Sequence, residues 1–244
     1  MMAYSVRALL ALGAVCAGLF FSQGAMAAGT AYNVDTSEVA EGCKFEAWSS
    51  FAKNRDLLAA FSGACGLNLH NPTELAVQFD RSRADSDLAS TVTPKVKVKL
   101  KESDVGVFGL AVSTFGTFDA GSGENTSFTF FVPSTVRLSS HARMNFNLGY
   151  MRDRVLQRDF LAYGAGIDIR TQQNNWIATA EIFGYAGNLD DNTVRSAVRP
   201  RAQVGLRWRP IDAWSADILY GRNLNGENSH WITFATAYRF SIGK

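Results

Sequence analysis

Between Lys95 and Lys101 the chain reads KVKVKLK, with a lysine at every second position. In an extended strand that spacing puts the ammonium groups on one face and Val96, Val98 and Leu100 on the other. The chemistry open to such a row is electrostatic: it draws anions along its face, or it pairs with carboxylates. Nucleophilic chemistry has fewer candidates. His70, His141 and His230 are the histidines of the chain. Ser229 precedes His230 directly, so in a strand the two side chains point to opposite faces, poor geometry for a nucleophile and its base. Asp190 and Asp191 could form a carboxylate pair near His230, although adjacent aspartates in a loop are ordinarily just solvated. Catalytic residues are therefore not assigned. No cysteine or histidine cluster has metal-ligand spacing, and neither a P-loop nor a dinucleotide fingerprint occurs, so no cofactor is expected.

The elements that position these residues begin after an export signal. Arg7 precedes an apolar run from Ala8 to Phe21, and Ala25-Met26-Ala27 supplies small residues for cleavage, so residues 1–27 read as a signal peptide. The mature chain of about 217 residues has nearly balanced charge and no basic run, which argues against nucleic-acid binding. Cys43 and Cys65 remain after cleavage. An even pair in an exported chain reads as a disulfide. Folding CKFEAWSSF and LLAAFSGAC as a hairpin about Asn54 sets Phe51 against Leu57, Ala47 against Phe61 and Cys43 against Cys65.

The alternation of the lysine stretch recurs along the chain. Segments such as Lys44–Ala52, Leu88–Lys101, Ala142–Arg152, Phe160–Arg170 and Trp231–Phe240 are separated by short polar or glycine-rich breaks. About twelve strands are counted, with about ten to fourteen as the range, and helical periodicity is nearly absent. Short breaks join sequence neighbours, which predicts an all-β, up-and-down antiparallel sheet. One face is apolar throughout, with Trp176, Trp208, Trp214 and Tyr238 near strand ends; the other is polar, charged or glycine. A soluble barrel of this size would enclose more space than side chains can fill. The inverse arrangement predicts a transmembrane β-barrel, its apolar face to lipid and its polar face to the lumen.

The signal peptide, the alternation and the terminal WITFATAYRF strand together resemble the bacterial outer-membrane β-barrel superfamily, porin-like members included. The SIGK that follows Phe240 departs from a strictly C-terminal aromatic. The resemblance implies the outer membrane of a Gram-negative bacterium, with the lipid bilayer and the barrel assembly machinery, through the strand ending at Phe240, as partners. Residues 28–42 read as a short N-terminal periplasmic segment and residues 43–244 as the barrel.

Parity assigns the inward face. Lys95, Lys97, Lys99, Arg137, Arg143, Arg170, Arg199, Arg201, Arg207 and Arg239 point in, with Glu46, Asp80, Asp168, Glu181 and Asp217. The cationic excess predicts a narrow channel passing small polar or anionic solutes. A closed barrel braced by ion pairs, with a structural or surface-interaction role, is the alternative. A hydrolase at the rim around His230 is the third reading.

Overall fold

The structure, a computed structural model, describes residues 31–52, 56–84, 87–171, 175–187, 200–225 and 229–241. The expected signal peptide, Asp190, Asp191 and Arg199 lie outside the described residues. Twelve strands follow one another: β1 (Cys43–Ala52), β2 (Leu57–Leu67), β3 (Thr73–Ala84), β4 (Asp87–Lys101), β5 (Phe108–Asp119), β6 (Asn125–Arg137), β7 (Ala142–Asp153), β8 (Arg158–Arg170), β9 (Trp176–Ala186), β10 (Arg201–Ile211), β11 (Trp214–Asn223) and β12 (His230–Phe240). Each pairs antiparallel with its sequence neighbours, and β1 pairs with β12 from Cys43↔Phe240 to Ala52↔Trp231. The sheet closes into an up-and-down barrel with no free edge.

Period-two alternation decides which side chain goes where. In β9, Ile177, Thr179, Glu181, Phe183 and Tyr185 are buried, while Trp176, Ala178, Ala180 and Ile182 are exposed between them. Leu148, Val204, Ile218 and Phe234 belong to an exposed outer belt; Leu148 is 59% exposed. Water would penalise a belt of this kind and the closed sheet cannot turn it inward, so lipid is its solvent. At the end of the barrel that carries Cys43 and Phe240, the Trp208 ring lies 6.1 Å from Trp176 and 5.5 Å from Trp214, an aromatic girdle suited to the membrane interface. The protein is a closed twelve-stranded β-barrel with a lipid-facing outer belt.

The first hairpin has the expected register: Phe51↔Leu57, Ala47↔Phe61 and Cys43↔Cys65 face each other, and the cysteines form a disulfide. Phe45 stacks on Phe61 and Phe240 beside it, at 5.7 and 5.4 Å. A register irregularity between Lys99 and Lys101 ends the lysine row, leaving Lys101 exposed at the rim.

The inner face carries aromatic rings beside the polar lining read from the sequence. Met151, Phe160, Phe183, Tyr185 and Trp231 pack together inside, in the half of the barrel away from the termini, and Val34 joins them. Glycine makes room for such rings. A Cβ at Gly221 would lie 2.1 Å from the Trp231 indole. A barrel of this girth has interior volume to fill, and aromatic side chains fill it as well as paired charges do.

Candidate functional site

Most of the inward cations stand in the terminal half of the barrel. In β4, Lys95 and Lys97 are both buried, and Lys97 lies 3.7 Å from Glu74 across the β3–β4 ladder. Arg137 of β6 and Arg143 of β7 are cross-strand partners, and Arg143 Nε donates to Asp168 at 2.7 Å. Asp168 also accepts from Thr179 Oγ1 at 2.6 Å and Asn145 at 3.2 Å. Across the lumen, Arg207 Nε donates to Asp217 at 2.6 Å, and Gln203 Nε2 donates to Glu181 at 2.8 Å. Arg201 is buried opposite Phe183. Arg170 and Arg239 are half-buried on the same inner face, where they pair across the ladder with Ile177 and Lys44. Lys99 pairs with Glu102 at the rim. Parity therefore places the described inward residues on one side of the wall, and most of them share networks.

The sequence reading leaves residues 28–42 outside the barrel. The described part of that segment, residues 31–42, instead makes its contacts with inward side chains, and we call it the strap. It enters beside the disulfide, where Gly66 N–H donates to the Gly42 carbonyl at 2.8 Å and Ala40 N–H donates to Glu74 at 2.9 Å. Glu38 accepts from Arg137 and, at 3.0 Å, from Arg143 Nη1. Ser37 N–H donates to Thr135 Oγ1 at 3.0 Å. Asp35 receives Lys95 Nζ at 2.6 Å and Lys97 Nζ at 3.1 Å. The Asn147 amide, oriented to satisfy its neighbours, donates to the Asp35 carbonyl at 2.9 Å and accepts from its N–H at 2.8 Å. Glu181 accepts from Asn33 N–H at 3.0 Å and Val34 N–H at 3.4 Å. Tyr32 donates its hydroxyl to Asp217 at 2.6 Å, with the Arg207 guanidinium 4.8 Å from its ring centre.

Physical chemistry explains why the strap seats here. A buried ammonium or guanidinium needs a carboxylate partner. Asp35 supplies one to Lys95 and Lys97, and Glu38 supplies one to Arg137 and Arg143. Burial alone would raise the pKa of each; for Asp35 the neighbouring Lys95 and Lys97, and for Glu38 Arg143 and Arg137, outweigh it and hold the carboxyl below its ordinary value. Sequence reasoning missed the strap. The signal available to it was the excess of inward cations beside a segment, read as periplasmic, that carries carboxylates three residues apart.

The histidines do not assemble a catalytic centre among the described residues. His141 Nδ1 lies 2.8 Å from Ser140 Oγ on an exposed turn, with no carboxylate among their hydrogen-bond partners there. His230 begins β12 beside Tyr220, with ring centres 6.2 Å apart. No group of His, Cys, Asp and Glu among the described residues could hold a metal ion.

Solved structures share this architecture at low identity. The KdgM porin in complex with disordered oligogalacturonate is similar at a TM-score of 0.62 and 10% identity, covering 81% of this chain and 99% of that one. The COG4313 outer membrane channel from Pseudomonas putida F1 is similar at 0.53 and 11% identity, covering 84% and 98%. Outer membrane phospholipase A from Escherichia coli is similar at 0.52 and 7% identity, covering 84% and 99%. These likenesses concern the fold, which porins and an enzyme share. No curated protein matches by sequence. Residues 16–240 match the family described as uncharacterised conserved protein UCP029691, and the chain belongs to that family.

Proposed function

We propose that the barrel is a porin-like channel for small anionic solutes, with the strap occupying its lumen in the state described here. One observation carries this reading: cations on the inner wall already hold carboxylates, Asp35 on Lys95 and Lys97 and Glu38 on Arg137 and Arg143, and those carboxylates belong to a segment outside the barrel strands. A lumen that binds carboxylates from a separable segment has the chemistry to bind them from a solute. The similar KdgM porin is described in complex with oligogalacturonate, an acidic oligosaccharide, which agrees with an anionic cargo.

A closed structural barrel is the second reading. The inner cluster of Met151, Phe160, Phe183, Tyr185 and Trp231 favours it, because such a cluster fills space that a wide water path would need.

The test is single-channel conductance of the mature protein and its Asp35→Asn/Glu38→Gln variant in a planar bilayer under a salt gradient. The channel reading expects a larger conductance in the variant, with a reversal potential favouring chloride. A variant that is folded by heat-modifiable gel mobility yet electrically silent would sink it in favour of the structural barrel.

A further inference from the structure

Asp35 and Glu38 mark two sites, and their spacing carries information. Asp35 seats on Lys95 and Lys97 in β4, whereas Glu38 seats on Arg137 and Arg143 in β6 and β7. Without Asp35, the lysine pair has Glu74 as its ion-paired carboxylate among the described residues. Without Glu38, Arg143 keeps Asp168 while Arg137 keeps the Ser103 hydroxyl. Each site is then left with a surplus positive charge facing the lumen. The strap residues between them also bind through the backbone: Asn147 holds both backbone groups of Asp35, and Thr135 accepts from Ser37. The lumen thus holds a chain segment with a carboxylate at either end and hydrogen-bonding groups between.

We infer that the two cation pairs, Lys95/Lys97 and Arg137/Arg143, are consecutive carboxylate subsites for linear solutes with two or more carboxylates, and that the strap occupies them as a competitor of such solutes. It rests on the channel reading above. Three residues separate the Asp35 and Glu38 backbones by at most about 10 Å, and the favoured solute has carboxylates on the order of 10 Å apart. Two weak sites on one molecule reinforce each other only when their spacing can be matched. A monocarboxylate fills one site, and a short dicarboxylate cannot bridge both.

The probe is a ladder of linear dicarboxylates, from malonate to azelate, with acetate and glycerol as controls at fixed ionic strength. In the reconstituted Asp35→Asn/Glu38→Gln variant, azelate should block the chloride current at a concentration at least about tenfold below that of acetate. Malonate should fall near acetate, and glycerol should not block. Adding Lys97→Gln or Arg143→Gln should erase the advantage of azelate. Equal block by acetate and azelate in a conducting variant would overturn the two-site inference and leave the channel intact. A folded but silent variant removes the channel reading and this inference with it. The wild-type protein provides an independent measurement: azelate should speed proteolysis of the strap severalfold by competing for its sites, and acetate should not. Equal rates of cleavage would count against the inference.

Discussion

Asp35 and Lys95, 60 residues apart in sequence, meet at 2.6 Å with their side chains 7% and 1% exposed. Such a pair depends on both partners. Breaking a buried pair by removing one partner costs about 3–5 kcal/mol. Asp35→Ala should therefore free the strap rather than merely weaken a contact, because rewetting the lumen is the easiest way to solvate Lys95. Limited proteolysis of the refolded protein should show cleavage within residues 31–42 in the variant and protection in the wild type. Equal protection would mean that the other strap contacts suffice.

The base of the strap offers a test that leaves every charge in place. A Cβ built at Gly66 would lie 1.8 Å from the Ala40 carbonyl oxygen, a backbone atom that cannot rotate away. Gly66→Ala should push the strap from its entry point while β2 keeps its pairing with β3 through Gly66↔Glu74. The expected outcome is strap cleavage and a higher conductance at an unchanged barrel melting temperature. Unchanged conductance alongside cleavage would separate strap docking from closure.

Barrel and strap differed sharply in how far they could be read from the sequence. Strand pairing is local, so counting outward from Asn54 was enough to set Cys43 against Cys65, and period two was enough to send Glu181 in and Ile182 out. The strap has no period. Its partners lie on β3, β4, β6, β7, β9 and β11, so its position depends on how distant strands curve around one lumen. The inner aromatic cluster follows from the same period: Trp231 shares the parity of Thr233 and Arg239, and Gly221 on the next strand leaves its ring space.

Acid should release the strap. Burial opposes ionisation of Asp35 and Glu38, but Lys95 and Lys97, and Arg143 and Arg137, lower both carboxyl pKa values when the strap is docked. A lowered pKa in the docked state contributes stability that is full above the ordinary carboxylate range, about pH 4, and is lost as pH falls below it. The charged groups around them are Lys95, Lys97 and Glu74 beside Asp35, and Arg137, Arg143 and Asp168 beside Glu38. Strap proteolysis should thus be flat from about pH 7 to 5 and rise below about pH 4. In the Asp35→Asn/Glu38→Gln variant this rise should be largely absent.

The disulfide should act on the barrel more than on the strap. It closes a loop with a sequence separation of 22, for which chain entropy gives about 3 kcal/mol of stabilisation. It also joins the two strands on which the strap enters. Cys43→Ala/Cys65→Ala should lower the temperature at which the heat-modifiable gel band shifts, and reductant should do the same to the wild type. If neither moves the transition, the β1–β2 ladder and the Phe45, Phe61 and Phe240 stack hold this end of the barrel without the disulfide.

Neighbouring residues on β7 separate the two faces of the wall. Leu148 points out and is 59% exposed, while Asn147 is buried and clamps the backbone of Asp35. If lipid lies outside, Leu148→Arg puts a charge near mid-strand in hydrocarbon and should cost about 2–4 kcal/mol of folding stability in vesicles. Asn147→Ala removes only the clamp. Barrel stability should change by under about 1 kcal/mol, since the lost bonds hold the strap and not a strand. The strap itself should become more accessible to protease. Urea titration of the protein folded into vesicles measures the first quantity, and proteolysis measures the second. A tolerated arginine at Leu148, with a large stability loss at Asn147, would place water outside and the apolar solvent within, the reverse of the arrangement described here.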